Sequence, residues 1–541
     1  MVTATSENDV YICLMSHTTI SRDKINQFSS FSQAFGNQTT FGQFLTAPLS
    51  SISDLHAQAQ KKKEVYSSAN RQNLVRVWNS QIASYASESQ LENLKLLERE
   101  RTFTITTGHQ LTLFAGPLYL IYKVLHVVRL SEEFNKSQSE FKAVPVFWMA
   151  SEDHDFDEVK SAYLFNQKLT WESAQTGPVG RFNMGDFKEV FSQFSAFFEG
   201  KETEINDLLA ISEKVDYASY LQEFISKLFA DFGVLVLQPD NRDLKKEFIP
   251  VILREISGPL AHQAVLAKNK EVEEAGYKPQ ANSRECNLFY LKAGERLRIE
   301  PTANGLAIDG KIYSKEELEQ LVQKEPENFS PNVILRPVYQ ETILPNLVYV
   351  GGGGEMAYWI QLKGVFEVHR MLFPLVQQRV SLQLVDGALK KRMDKLNWPD
   401  ERYFEPKEHL KKLFLKENEE DDLDLSMLYT EFNTLRSTMI EKARSIEATL
   451  ESFAEAETVR MKKQLESFEQ RLVKQLKQRH EQALQSIDFI SERIIPENSL
   501  QERHFHWLQF APSGAYKELL KQIHSEIDPF EAGLIVVDLT K

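Results

Sequence analysis

Three polar clusters in this chain have residue types and spacings that can do chemistry. The first is Thr106-Thr107-Gly108-His109-Gln110, which closes an apolar stretch, Thr102 to Thr107, that reads as a strand. Open α/β sheets bind their ligands at such carboxyl ends. Gly108 permits close backbone approach, His109 can exchange a proton near neutral pH, and Gln110 offers both a donor and an acceptor. A plain turn is the alternative. The second cluster, Glu152-Asp153-His154-Asp155 with Asp157 and Glu158, follows a second apolar run, AVPVFWMA, from Ala143 to Ala150. An imidazole among carboxylates can be held in one tautomer and made basic, so His154, held by Asp155 or Glu152, is the expected acid–base group. The same side chains suit a divalent metal such as Mg²⁺, Mn²⁺ or Zn²⁺. The alternative is an acidic helix start favoured by the helix dipole. The third cluster is Gly351-Gly352-Gly353-Gly354-Glu355, between an apolar strand and the helical text MAYWIQLKGVFEVHRM. Its amides could receive a carboxylate or a phosphate, the alternative being a flexible turn.

Three cations sit in apolar text: Lys123, Arg336 in VILRPVYQET, and Arg379 in VQQRVSLQL. Partly buried cations need partners, and either a substrate carboxylate or an internal Asp or Glu would serve. The expected substrate-binding set is therefore Gln110, His109, Arg336, Gln340, Glu341, Glu355 and Arg379. Gly108 and Gly351 to Gly354 are expected to take an anion or a nucleotide. Two familiar motifs are decoys. Gly305 to Lys311 has phosphate-loop spacing, but Ile312 stands where Ser or Thr must meet Mg²⁺, and Asp309-Gly310 reads better as a hairpin turn. Gly352, Gly354 and Ala357 fit a dinucleotide spacing but lack the acidic residue about twenty positions later that would take a ribose.

The elements that must position these clusters alternate in a simple way. A strand from Thr102, a helix from about Pro117 to Phe134, and a strand from Ala143 make a βαβ unit. Further apolar runs at Val234 to Leu237, Leu347 to Val350 and Pro374 to Val380 extend it into a mostly parallel sheet covered by helices. Asn287 to Ile312 reads as a β-rich module with turns at Asn304-Gly305 and Asp309-Gly310, followed by a capping box from Ser314 to Glu317. No Gly occurs from Ala388 to Ser513 and no Pro from Lys407 to Ile495, so long helices are expected there. Leu425, Leu428, Phe432, Leu435 and Met439 follow a coiled-coil seam. An eleven-residue period then runs from Met461 to Ile494. The terminal strand AGLIVVDL implies a return to the core, through a helical hairpin reversing near Ser445 to Thr458. The expected division is a Rossmann-like core over residues 1–165, 216–282 and 331–385. Insertions at 166–215 and 283–330 should be peripheral to it. A helical dimerisation region at 386–498 and a returning segment at 499–541 complete the chain.

Composition narrows the classes. With 63 Lys and Arg against 77 Asp and Glu the formal charge is −14, which opposes non-specific attraction to nucleic acid or anionic lipid. The opening MVTATSENDVYICLMS has no basic leader, and its apolar run is too short to cross a bilayer. The only cysteines, Cys13 and Cys286, lie in apolar text and read as packing residues of a cytoplasmic protein.

Taken in order, TTGHQLTLFAGPLYLIYK, VPVFWMASEDHDFDEV, LRPVYQETILPNLVYVGGGGEMAYW, PLVQQRVSL and SLQER (Ser499 to Arg503) resemble the bacillithiol cysteine ligase family called BshC. The resemblance implies a Rossmann-like core with two connecting insertions and a C-terminal coiled coil that mediates dimerisation. It also implies the last step of bacillithiol synthesis, acylation of the amino group of glucosaminyl malate by cysteine. Its partners are thus glucosaminyl malate, cysteine and a second copy of the chain. At His109 the chain departs from the family, where Gln is common, which favours Gln110 over His109 as the essential side chain. A free carboxylate does not acylate an amine in water, so ATP or another activating nucleotide is an expected co-substrate, with acyl phosphate, adenylate and carrier routes all open. Two other classes compete. An NADP-dependent oxidoreductase would use the Gly run and Arg379. A structural coiled-coil protein would explain residues 405–495 but not three polar strand ends.

Overall fold

Val, Ile, Thr and aromatic residues dominate the central strands, and burial on both faces explains why those strands show almost no polar alternation. β1 (Thr102–His109), β2 (Lys142–Met149), β3 (Leu235–Leu237), β4 (Asn346–Gly351) and β5 (Leu375–Gln378) form one sheet in the order β5-β4-β1-β2-β3. Every neighbouring pair is parallel. The computed structural model describes residues 18–540 apart from 36–40, 42–43, 46–48, 138–139, 202–203, 212–213, 293 and 419–424. Cys13 and the opening segment lie outside the described residues, while Cys286 is a buried free thiol.

Alternation within β2 divides the core. Val144, Val146 and Trp148 face one hydrophobic cluster, and Phe147 and Met149 face another. The helix between β1 and β2, α1 (Leu118–Lys136), is buried around most of its circumference, including Lys123 and His126. Its first two turns, Leu118 to Leu125, are apolar except for Lys123, and such a segment packs inside a protein.

The sheet runs β1, β2, β3 outward from one side of β1, and then returns to place β4 and β5 on the other side. The strand order therefore reverses between β1 and β4, and the crevice beyond their carboxyl ends is the expected ligand site of this topology. The run Pro374 to Val380 splits at its end: β5 stops at Gln378 and a new strand, β6 (Ser381–Val385), pairs in parallel with β7 (Leu534–Asp538). The terminal strand does return, but to a separate three-stranded sheet completed by Thr18–Ile20.

Residues 288–331 supply a five-stranded antiparallel sheet. Its Asp309-Gly310 loop has both φ values positive, as a two-residue hairpin turn requires. The other tight loop falls on Ala303-Asn304, one residue earlier than expected, because Thr302 pairs directly with Gly305. Ser314 and Glu317 cap the following helix reciprocally.

The chain divides into two compact units, one containing residues 18–24, 28–385 and 501–540, the other residues 386–500 with 25–27. In the second unit, α2 (Ser426–Ile446) and α3 (Leu450–Arg479) form an antiparallel hairpin reversing at Glu447 to Thr449, with Tyr429 donating to Glu469 at 2.6 Å and Arg444 paired to Glu451 near the tip. The eleven-residue pattern does not run unbroken. The helix ends at His480, and α4 (Glu481–Ile494) turns Leu484 and Ile487 into a small core with Leu410, Leu415 and Leu476. Among the described residues no helix is long and apolar enough to cross a membrane.

Candidate active site

A cavity of about 890 Å³ occupies the crevice between the ends of β1 and β4. Its floor is a charge pair. Lys123, projecting from α1, donates to the Gly108 carbonyl at 2.6 Å and to Glu355 Oε2 at 2.5 Å. Glu355 lies in the short helix Gly353–Trp359 and also accepts from the Tyr349 hydroxyl at 2.6 Å and the Gly352 amide at 2.8 Å. Burial opposes its charge, but Lys123, Tyr349 and Gly352 together outweigh burial and hold its carboxyl down at about 2. Burial in turn lowers Lys123, with Glu355 opposing that shift.

Arg336 lines the same cavity. Its guanidinium donates to the Tyr358 hydroxyl at 3.2 Å and to Gln340 Oε1 at 3.3 Å, and lies 5.4 Å from the Tyr349 ring centre. Among the described residues it has no carboxylate within ion-pair distance. Arg379 differs from the expectation that it receives a substrate. Nη1 and Nη2 donate to the two carboxylate oxygens of Glu502, at 2.8 and 2.5 Å, in a buried fork. The partner comes from the SLQER segment, which no local spacing links to Arg379.

Gln340 and Glu341 are also corrected. Both are buried, and Glu341 binds Lys62 at 2.7 Å and Asn346 at 2.7 Å, away from the cavity lining. The reason is helical: Gln340 lies one turn after Arg336 and meets it, whereas Glu341 turns to the other side. Gly108 belongs to β1 itself rather than to an open loop, and its carbonyl is taken by Lys123. Gly351 likewise ends β4, with its carbonyl accepting from the Arg379 amide at 2.8 Å. None of Gly351 to Gly354 has positive φ. Space decides instead. A Cβ on Gly351 would fall 2.6 Å from Met356 Cε, and one on Gly353 would fall 3.0 Å from Ser32 Oγ. Gly352, Gly353 and Gly354 line the cavity, but Glu355 already occupies the Gly352 amide and would repel a dinucleotide pyrophosphate there.

On the β2 side, the acid–base residues have other partners than expected. Glu152 pairs with the buried Lys245 at 2.6 Å, burial raising its pKa against that pairing. Asp155 is exposed and makes no side-chain contact with His154. His154, half exposed at the rim, instead lies 3.7 Å from Asp153, and its Nδ1 receives Arg296 Nη1 at 3.1 Å. Asp153 accepts from Gln110 Nε2 at 2.9 Å, as Glu158 does at 2.7 Å. Burial works against the Asp153 charge, yet the His154 and Gln110 contacts prevail and keep its carboxyl well below the usual range. Among the described residues no three His, Cys, Asp or Glu side chains converge on a metal position.

Arg296 and Phe289 also correct the view of the second insertion as peripheral. The strand pairing between Leu288–Lys292 and Phe329–Pro331 brings the insertion back to the point where the chain re-enters the core, and both residues line the cavity. Tyr119 was missed as well. His109 Nε2 lies 2.8 Å from its hydroxyl, and the Arg379 guanidinium lies 5.3 Å from its ring centre. The available signal was its i, i+4 spacing from Lys123 in the otherwise apolar stretch Leu118 to Leu125.

Comparison with known proteins gives a consistent picture. Residues 14–380 match a family model described as the N-terminal Rossmann-like domain of bacillithiol biosynthesis BshC, and residues 382–539 match its C-terminal coiled-coil domain. The chain is 36% identical to a protein of Cytophaga hutchinsonii over 445 residues, covering 82% of this chain and 84% of the relative. It is 32% identical over 528 residues to one of Flavobacterium johnsoniae, covering 96% and 99%. A Bacillus cereus protein is 28% identical over 440 residues, covering 77% and 81%. All three carry the name "Putative cysteine ligase BshC".

Proposed function

The chain belongs to the BshC family of bacillithiol biosynthesis, and from that premise we propose that it is a cysteine ligase acylating the amino group of glucosaminyl malate in the last step of the pathway. The observation that carries the reading is Arg336: a guanidinium in the switch-point cavity whose hydrogen-bond partners are neutral and which, among the described residues, has no carboxylate at ion-pair distance. A malate carboxylate would fit it through two parallel hydrogen bonds. Lys123 and Glu355 pair with each other, which leaves the Arg336 guanidinium as a cation of the lining that a substrate carboxylate can meet.

The acidic edge formed by Asp153 and Glu158 suits an ammonium group, and Gln110 holds both carboxylates in place. In the reaction the amine nitrogen bonds to an activated acyl carbon, and the leaving group departs with its bonding pair. The surplus amine proton then passes to a base. His154 is our candidate for that base, provided Arg296 releases Nδ1 so that the proton there leaves an Nε2 lone pair for the amine. The activating group, of nucleoside triphosphate class or another carrier, comes from outside the chain.

Two copies are proposed to meet through the helical hairpin. Its α2 helix has no buried residue, and Leu435, Phe453, Val459 and Phe468 stay largely exposed within one chain. Contiguous exposed apolar surface commonly marks an interaction site. The functional test is direct: purified chain, glucosaminyl malate, cysteine and a nucleoside triphosphate, followed by mass spectrometry. Formation of the cysteinyl amide supports the reading, and its absence with several activating nucleotides opposes it.

A further inference from the structure

Tyr119 stands where two cavities meet. Beside the switch-point crevice lies a second space of about 420 Å³, bounded by Pro117, Ser161, Tyr163 and His504. Gln110, Tyr119, Glu158 and Arg503 line both. A reaction joining two substrates must bring both to one carbon atom, and a wall shared by two compartments is a natural meeting place.

The hydrogen bonds around Tyr119 have a definite direction. The Gln110 backbone amide donates to His109 Nδ1 at 2.8 Å. A ring nitrogen that accepts carries no proton, so the neutral imidazole holds its proton on Nε2. That nitrogen lies 2.8 Å from the Tyr119 hydroxyl, which therefore accepts from His109. The hydroxyl's own proton must point elsewhere, and Tyr119 lines both cavities. Burial, then Lys123, and Arg379 after it, outweigh Glu355 and pull His109 down to about 3, which favours the neutral ring. Tyr119 keeps its proton as well, because burial pushes it up to about 12 against the pull of Arg379.

We propose that Tyr119 is a catalytic hydrogen-bond donor at the junction of the two compartments, aimed at the oxygen of the acyl group being transferred, with His109 as the positioning residue that orients it. The acyl assignment rests on the ligase reading above. As the amine adds, the carbonyl electron pair moves onto oxygen, and a donor placed there binds the developing charge more strongly than the ground-state carbonyl. When the pair returns, the phosphate-type leaving group departs with its electrons. Tyr119 gains and loses no proton.

Tyr119→Phe removes the donor and keeps the ring. With activated cysteine and the amino sugar malate, kcat should fall about 100- to 1000-fold while both KM values stay within about twofold. His109→Gln can still donate to the hydroxyl through its side-chain amide and should keep most of the rate. His109→Leu cannot, and should approach Tyr119→Phe. A Tyr119→Phe variant that changes KM and not kcat, or a fully active His109→Leu, overturns the proposal. A second measurement does not depend on ligation. In the full chain labelled with ¹⁵N-histidine, the His109 ring should show its proton on Nε2 and no titration between about pH 5 and 8. A proton on Nδ1, or titration in that range, overturns the donor direction even in an active ligase. The expected tautomer in a chain that does not ligate would instead refute the acyl-transfer reading, leaving a donor at the junction.

Discussion

Arg379 and Glu502 form a buried fork-to-fork ion pair, at 2.8 and 2.5 Å, between residues far apart in sequence. The pair joins the end of the parallel sheet to the segment that returns after residue 500, and it occupies both terminal nitrogens that would grip a substrate. Arg379→Met should leave Glu502 buried and unpaired, lowering stability by about 3–5 kcal/mol. Thermal unfolding measures this. A variant with parental stability and lost substrate affinity would return Arg379 to the substrate site.

Arg336 should behave in the opposite way. Arg336→Lys keeps the charge but loses the fork, and binding of glucosaminyl malate should weaken by about 1.5–3 kcal/mol, the value of a charged hydrogen bond. Calorimetry reads the change, and unaltered affinity would place the malate elsewhere. His154→Gln is the complementary variant: loss of a general base should slow kcat about 100- to 10,000-fold with binding intact, and near-normal turnover would remove His154 from the chemistry.

How much of this was legible beforehand depended on distance in sequence. The strands announced themselves through β-branched and aromatic runs, and the polar strand ends through composition, because both signals are local. Arg336 was recognisable as a cation in apolar text. The Arg379 partner was not, since Glu502 reaches it only through the return of the chain. Tyr119 was hidden among apolar residues that look like packing. Arg296 was overlooked because an inserted sheet gives no local sign of folding back over a sheet edge, and the helix break at His480 depends on tertiary packing of Leu484 and Ile487.

Glu355 gives a pH signature. Its carboxyl is held at about 2 in the folded chain against an ordinary 4.5. A depressed carboxyl contributes stability above its unfolded pKa and loses it as pH falls from 4.5 toward 2. Glu355→Gln should therefore destabilise the chain at pH 7, and the difference from the parent should shrink at about pH 3. Urea unfolding at the two values checks it. An equal difference at both would mean that the carboxylate is not the stabilising form.

The helical hairpin should set the mass of the protein in solution. Phe453 is 63% exposed and Phe468 is 48% exposed within one chain. Replacing Leu435, Phe453 and Phe468 together with Ser should convert a dimer into a monomer in light scattering, with the helical content retained. A mass unchanged by the substitutions would locate the interface elsewhere, or show that none exists.

The most direct measurement is metabolite analysis of a strain lacking this chain, because the cell supplies whatever activates the cysteine. That strain should accumulate glucosaminyl malate and lack bacillithiol, a defect reversed by the parent sequence and poorly reversed by Tyr119→Phe. Unchanged bacillithiol in the deletion strain would contradict it.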